Sequence, residues 1–167
     1  MDSSKIMQVE IRDDKIAVVR INRVKKFNAF TFEMFVELQQ AVNDLVDFNK
    51  TQKEVRCIIF THEGKHFTAG LDLTSAQAIA QNSQQEDSDA ARIAIGMFDL
   101  VDNMQKQTSV LETVRVPVIA AMSGYVIGAG VDLASACDIR VCSKDALFSI
   151  KEVDIGMCAD LGTMQRF

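Results

Sequence analysis

The sequence predicts an α/β fold, and three observations carry that expectation. Short β-rich apolar runs alternate with stretches of helical periodicity, the pattern of strands joined by helical crossovers. Apolar residues form 48% of the 167 positions, enough for a substantial core. No internal repeat or linker interrupts the alternation, so residues 1–167 are read as one domain.

The elements follow in order. Met7 to Ile11 and Ile16 to Asn22 are β-rich runs around Asp13-Asp14, which predicts a hairpin. Thr31 is placed to cap a helix reaching about Asn49, with Phe32, Phe35, Leu38, Val42, Leu45 and Val46 at helical spacing. Val55 to Thr61 is a compact apolar run of the buried-strand kind. The polar stretch from Gln81 to Asp89 predicts a mobile loop. A second helix is expected from about Asp89 to Val114. Ile93, Met97, Leu100, Val101 and Met104 would share one face, with a kink at Gly96. Pro117 precedes a buried strand, Val118 to Met122. Gly124 and the Gly128-Ala129-Gly130 turn then open a short apolar helix through Ala136. Ile139 to Cys142 and Leu147 to Ile150 read as strands, and Gly162 to Phe167 as the opening of another helix.

Composition narrows the function. A net charge of −5, with no basic stripe interleaved with aromatics, argues against a nucleic-acid surface. No apolar run is long enough to span a membrane. Met1 to Lys5 carries neither a signal-peptide core nor an Arg-rich presequence. Cys57, Cys137, Cys142 and Cys158 lack metal-ligand spacing and read as buried free thiols of a reducing compartment. His62 and His66 are four apart without a third ligand nearby, so no metal site is expected. Ser75, Ser109, Ser123 and Ser135 lack a nucleophile-elbow context.

Three acids point to chemistry. Asp132, Glu152 and Asp160 lie among small and apolar residues, a setting that desolvates carboxylates and raises their pKa toward the range useful for proton transfer. Two glycine-bearing turns accompany them. His66 to Leu73 follows the Val55–Thr61 run, and the Leu71 N–H is placed to donate to a developing oxyanion. Alone, that segment reads as an ordinary strand-to-helix turn. Gly128-Ala129-Gly130 repeats the design, with the Ala129 N–H as donor. It matches neither a dinucleotide-binding fingerprint nor a Walker A loop. Together the turns offer two N–H donors for a carbonyl that becomes an enolate. Lys25-Lys26 is either a phosphate contact or a solvated charged turn.

Lys26-Phe27-Asn28-Ala29, His66 to Leu73, Gly124 to Gly130 and Ala136 to Arg140 together resemble the crotonase (enoyl-CoA hydratase/isomerase) superfamily. The likeness runs from about Val9 to the end of the chain. It implies a crotonase-like ββα spiral core. Lys151 to Gly156 and Ala159 to Arg166 are most similar to the Δ3,5-Δ2,4-dienoyl-CoA isomerases of that superfamily. Hydratases of the superfamily carry glutamates at the positions of Asp132 and Glu152, and usually glycine at that of Asp160. The resemblance therefore implies an isomerase of unsaturated fatty-acid β-oxidation. Glu152 and Asp160 would transfer protons, and Asp132 would be the third acid. Leu71 and Ala129 would form the oxyanion hole. Lys26, Ala69, Gly70, Leu71, Asp72, Leu73 and Ala129 would contact the acyl-CoA substrate, with no cofactor. The alternatives are a hydratase, a Δ3,Δ2-enoyl-CoA isomerase, or a silent acyl-CoA-binding paralogue.

The resemblance also implies a trimer or hexamer in mitochondria or peroxisomes. Its C-terminal helical, trimer-building region is expected to be missing from these 167 residues. Weak activity and exposed apolar surface are the corresponding expectations.

Overall fold

The computed structural model describes residues 6–52, 54–75, 77 and 89–167. β1 (Met7–Ile11) and β2 (Ile16–Ile21) form the predicted antiparallel hairpin, with Met7 opposite Ile21. A 3-10 turn at Val24–Lys26 follows, then α1 (Phe32–Gln52). β3 (Cys57–His62) lies parallel to β2. α2 (Ala90–Thr113) crosses to β4 (Val118–Met122), which is parallel to β3. β5 (Tyr125–Ile127) leads into α3 (Ala129–Ser135), and β6 (Ile139–Cys142) pairs with β4. β7 (Leu147–Ser149) pairs with β5, and a 3-10 turn at Glu152–Ile155 precedes α4 (Thr163–Arg166).

Two sheets result. The larger has the order β1-β2-β3-β4-β6, antiparallel only at its hairpin edge. The smaller contains β5 and β7. Parallel bridges extend the smaller layer, pairing Thr68 with Val126 and Phe30 with Leu71. The core fills the space between the large sheet and α1. Met34, Phe35, Leu38, Ala41, Val42 and Leu45 form the buried face of that helix. Phe30 packs on Phe35 with ring centroids 5.0 Å apart, and Phe60 meets Phe67 edge-to-face at 5.4 Å. Such aromatic contacts add roughly 0.5–1.5 kcal/mol each beyond their area.

Some expectations are corrected. α2 runs unbroken past Gly96. Its buried residues are Met104, Thr108, Val110 and Leu111, whereas Met97 is exposed and Ile93, Leu100 and Val101 are only partly buried. Gly124 to Gly128 is more than a turn: β5 lies within it, formed by pairing with residues distant in sequence. Of the cysteines only Cys137 is buried, while Cys142 and Cys158 are exposed and Cys57 is half-buried. Cys142 ends β6, which has no further strand beyond it among the described residues. The expected loop from Gln81 falls outside the described residues, apart from Asp89, which caps α2 by accepting from the Arg92 N–H.

Ile139 and Val141 on β6, Leu147 and Phe148 on β7, and Val153, Ile155 and Met157 beyond them are all exposed. Among the described residues, no helix is long and apolar enough to cross a membrane.

Asn28 ties the two layers together. Its side chain accepts from the Arg23 N–H at 2.8 Å and donates to the carbonyls of Glu63 (2.9 Å) and His66 (2.8 Å). It is 1% exposed and takes φ +55, a conformation asparagine tolerates better than most residues. Asn28→Ala removes three buried hydrogen bonds and is expected to cost about 2–4 kcal/mol, read as a lower urea midpoint. An unchanged midpoint would contradict this account.

Candidate active site

The first turn is built by hydrogen bonds on both sides. Ala69 N–H donates to the Phe27 carbonyl, Phe30 N–H to Gly70, and Asp72 N–H to Phe30. Thr68 donates its hydroxyl to the Asn28 carbonyl at 2.7 Å and accepts the Gly70 N–H at 3.1 Å. Gly70 has φ +93, and a Cβ there would sit 3.0 Å from the Ile127 carbonyl oxygen. That close approach brings the first turn against the second. Between them, the Leu71 N–H has no acceptor among the described residues.

The second turn starts at Gly128 (φ +54), whose N–H donates to the Ser149 carbonyl. Ala129 opens α3 with ordinary helical backbone, so an alanine fits without strain. Its N–H lies in the first turn of the helix, where no intrahelical partner exists. It too has no acceptor among the described residues. Gly130 packs against Thr68: a Cβ there would lie 2.5 Å from the threonine methyl. The two donors thus have no acceptor among the described residues and lie on turns packed against one another.

Two of the three acids, Glu152 and Asp132, lie at the second turn and the helix it opens. Glu152 lies over Gly128, where a Cβ would be 2.9 Å from its Oε1. Asp132 is buried on α3 and accepts from both the N–H and the hydroxyl of Thr163. Asp160 is half-buried, and its carbonyl accepts from the Gln105 side chain at 2.7 Å. Burial raises the Asp132 carboxyl, the Thr163 hydrogen bonds oppose that, and the charge of Asp160 adds to it. Burial likewise raises Glu152, reinforced by the charges of Asp132 and Asp160. The charge of Asp160 thus acts on both other acids, and that of Asp132 acts on Glu152. Asp132 lies among buried Val131, Leu133 and Ala134, as expected, whereas the burial of Glu152 has another source. Val153, Ile155 and Met157 are exposed, and contact with the Gly128 turn shields Glu152 instead.

The other candidates occupy varied settings. Asp72 accepts from Arg23 Nη1 at 2.7 Å and from Thr74 and Ser75, which holds its carboxyl down at about 2. Its oxygens brace the turn. Lys26 is exposed on the 3-10 turn, one residue before the Phe27 carbonyl that receives Ala69. Ala69 is half-buried, Gly70 buried and Leu73 exposed. His62 and His66 spend ring nitrogens on the backbone N–H groups of Ser123 (3.2 Å) and Tyr125 (3.1 Å). Sequence reasoning missed Thr163 and Arg23. Thr163 follows a glycine at a helix start, a pattern that signals capping of its own helix instead of a clamp on α3.

The raised Glu152 carboxyl has a thermodynamic consequence. A folded pKa above the unfolded one means that the folded state binds the proton more tightly. The cost of charging the group is present above the folded pKa and vanishes below the unfolded one. Glu152→Gln is therefore expected to raise the thermal midpoint at pH 7, with the difference gone near pH ~4. Melts followed by circular dichroism across that range check it; equal midpoints at pH 7 would refute the assignment.

The family model described as enoyl-CoA hydratase/isomerase matches residues 12–167. A peroxisomal Δ3,5-Δ2,4-dienoyl-CoA isomerase of Arabidopsis thaliana is 41% identical over 99% of this chain and 59% of its own length. The mitochondrial enzyme of Mus musculus is 42% identical over 96% of this chain and 47% of its own. The chain thus spans about half the length of these relatives. A structure described as an enoyl-CoA hydratase of Thermobifida fusca, solved with acetoacetyl-CoA, superposes with a TM-score of 0.74 at 26% identity, covering 96% of this chain and 60% of that one. The fold is accordingly the crotonase-like one that the motifs implied, and the chain belongs to the enoyl-CoA hydratase/isomerase family.

Proposed function

We propose that this chain carries the catalytic elements of a Δ3,5-Δ2,4-dienoyl-CoA isomerase. One observation carries the reading: Glu152 and Asp132, both with raised pKa and both under the charge of Asp160, lie beside a turn whose N–H, like that of the neighbouring turn, has no acceptor among the described residues. The identity to dienoyl-CoA isomerases supports it.

The mechanism moves only protons, so no cofactor is needed. Glu152 takes a proton from C2 of a 3,5-dienoyl thioester. The electron pair spreads into a dienolate, with charge on the thioester oxygen. The Leu71 and Ala129 N–H groups receive that charge, and each such donor is typically worth about 2.7–4 kcal/mol of barrier. Asp160 delivers a proton to C6, leaving double bonds at C2 and C4. Two carboxylates suit this 1,5-shift because C2 and C6 lie too far apart for one to serve both easily. Asp132 supplies the third charge.

Lys26 and its neighbour Lys25 are assigned to the phosphates of coenzyme A. Ala69, Gly70, Asp72 and Leu73 complete the acyl-CoA contact through the braced first turn. The relatives' names support a mitochondrial or peroxisomal setting. A trimer or hexamer belongs to the same proposal, and the exposed apolar residues of β6 and β7 offer it a surface.

Asp160→Asn is expected to lower conversion of 3,5-dienoyl-CoA at least a hundredfold while acyl-CoA binding persists. An ultraviolet assay of diene conjugation, run beside calorimetry, measures both. Full isomerisation by D160N would sink the two-acid scheme. Hydration of 2-enoyl-CoA without diene conversion would favour a hydratase.

A further inference from the structure

We propose that Thr163 is a positioning residue of the acid cluster: it locks one oxygen of Asp132 and leaves the other as the cluster's free face. The inference rests on the two-acid reading above.

The geometry is unusually committed. Thr163 is 2% exposed and Asp132 1% exposed, so neither contact is a surface accident. The Thr163 N–H donates to Asp132 Oδ1 at 2.7 Å, and its hydroxyl donates to the same oxygen at 2.6 Å. Asp132 Oδ2 is buried without a partner among the described residues, as is Glu152 Oε2. Two donors on one oxygen fix the rotation of the carboxylate and so decide where the bare oxygen points. They also offset part of the desolvation that burial imposes on the charged form.

The clamp is itself held. Arg166, on the same short α4, donates from Nη2 to the Ser109 hydroxyl (2.9 Å) and to Glu112 (2.8 Å) on α2. Its guanidinium lies over Gly162, where a Cβ would fall 1.6 Å from Nη1. Gln105, also on α2, receives the other end of the segment through the Asp160 carbonyl. The segment from Asp160 to Arg166 is thus fastened to α2 at both ends. It presents an acid at one position and the clamp of a second acid three positions later.

The charged groups acting on Asp132 are Asp160 and Arg166, and Asp132 in turn acts on Glu152. Holding Asp132 in its charged form therefore helps set the pH at which Glu152 becomes a base. Thr163 contacts no reacting atom in this scheme; it works through Asp132.

The test uses the 167-residue chain, with Thr163→Val removing the hydroxyl at constant shape and Thr163→Ser retaining it. The Asp132 carboxyl is titrated by carbon-13 NMR, and diene conversion is followed against pH. In T163V, Asp132 is expected to titrate at higher pH than in the parent, and kcat to fall about tenfold with KM little changed. T163S is expected to stay within about twofold of the parent in kcat and to match its titration. An unshifted Asp132 in T163V overturns the proposal. So does a T163S chain altered as much as T163V, because that would mean packing alone. If T163V does not fold, Thr163→Ala takes its place against T163S with the same two outcomes. The titration requires no turnover. If no variant, parent included, converts 3,5-dienoyl-CoA, the isomerase reading fails while the clamp is still decided.

Discussion

The site depends on one buried amide. Asn28 spends its side chain on the backbone of Arg23, Glu63 and His66, and its carbonyl on the Thr68 hydroxyl. Thr68 then accepts the Gly70 N–H, one residue before the Leu71 donor. The position of a candidate catalytic N–H is thus set by a chain of hydrogen bonds that begins just past the C-terminal end of β2. No apolar residue can substitute, because each of those backbone groups would be left buried and unpaired.

Carboxylates in this fold divide by how many donors they meet. Asp72 meets an arginine, a hydroxyl and two backbone N–H groups, and its pKa falls to about 2. Asp132 meets two donors on one oxygen, and burial still wins. Glu152 has an oxygen buried with no partner, and burial raises it too. The same side-chain chemistry is therefore held charged in one place and pushed toward the neutral form in another, and the balance of donors against burial separates the two settings.

Much of this was legible in the sequence because it is local. The hairpin, α1, β3, α2 and β4 announce themselves through period and punctuation, and they appear within a few residues of their expected bounds. The two glycine-bearing turns were legible too, since glycines mark where the chain turns from strand to helix. The rest is non-local. β5 is three residues between glycines, and only Thr68 and β7 make it a strand. The exposure of Cys142 and Met97 depends on which element has no neighbour. The Thr163 clamp joins residues 31 positions apart, which no motif of adjacent letters records.

The parallel pairing of β2, β3, β4 and β6 has a kinetic consequence. A parallel pair cannot form until the intervening crossover has been ordered, so loop-closure entropy is lost before any contact repays it. Both turns of the site inherit that burden. Asn28 must find Thr68 40 positions away, and Asp132 must find Thr163. The acid cluster cannot exist as a partly folded fragment of local structure. It is assembled by long-range closures of the chain, which are slower to form than the helices they join.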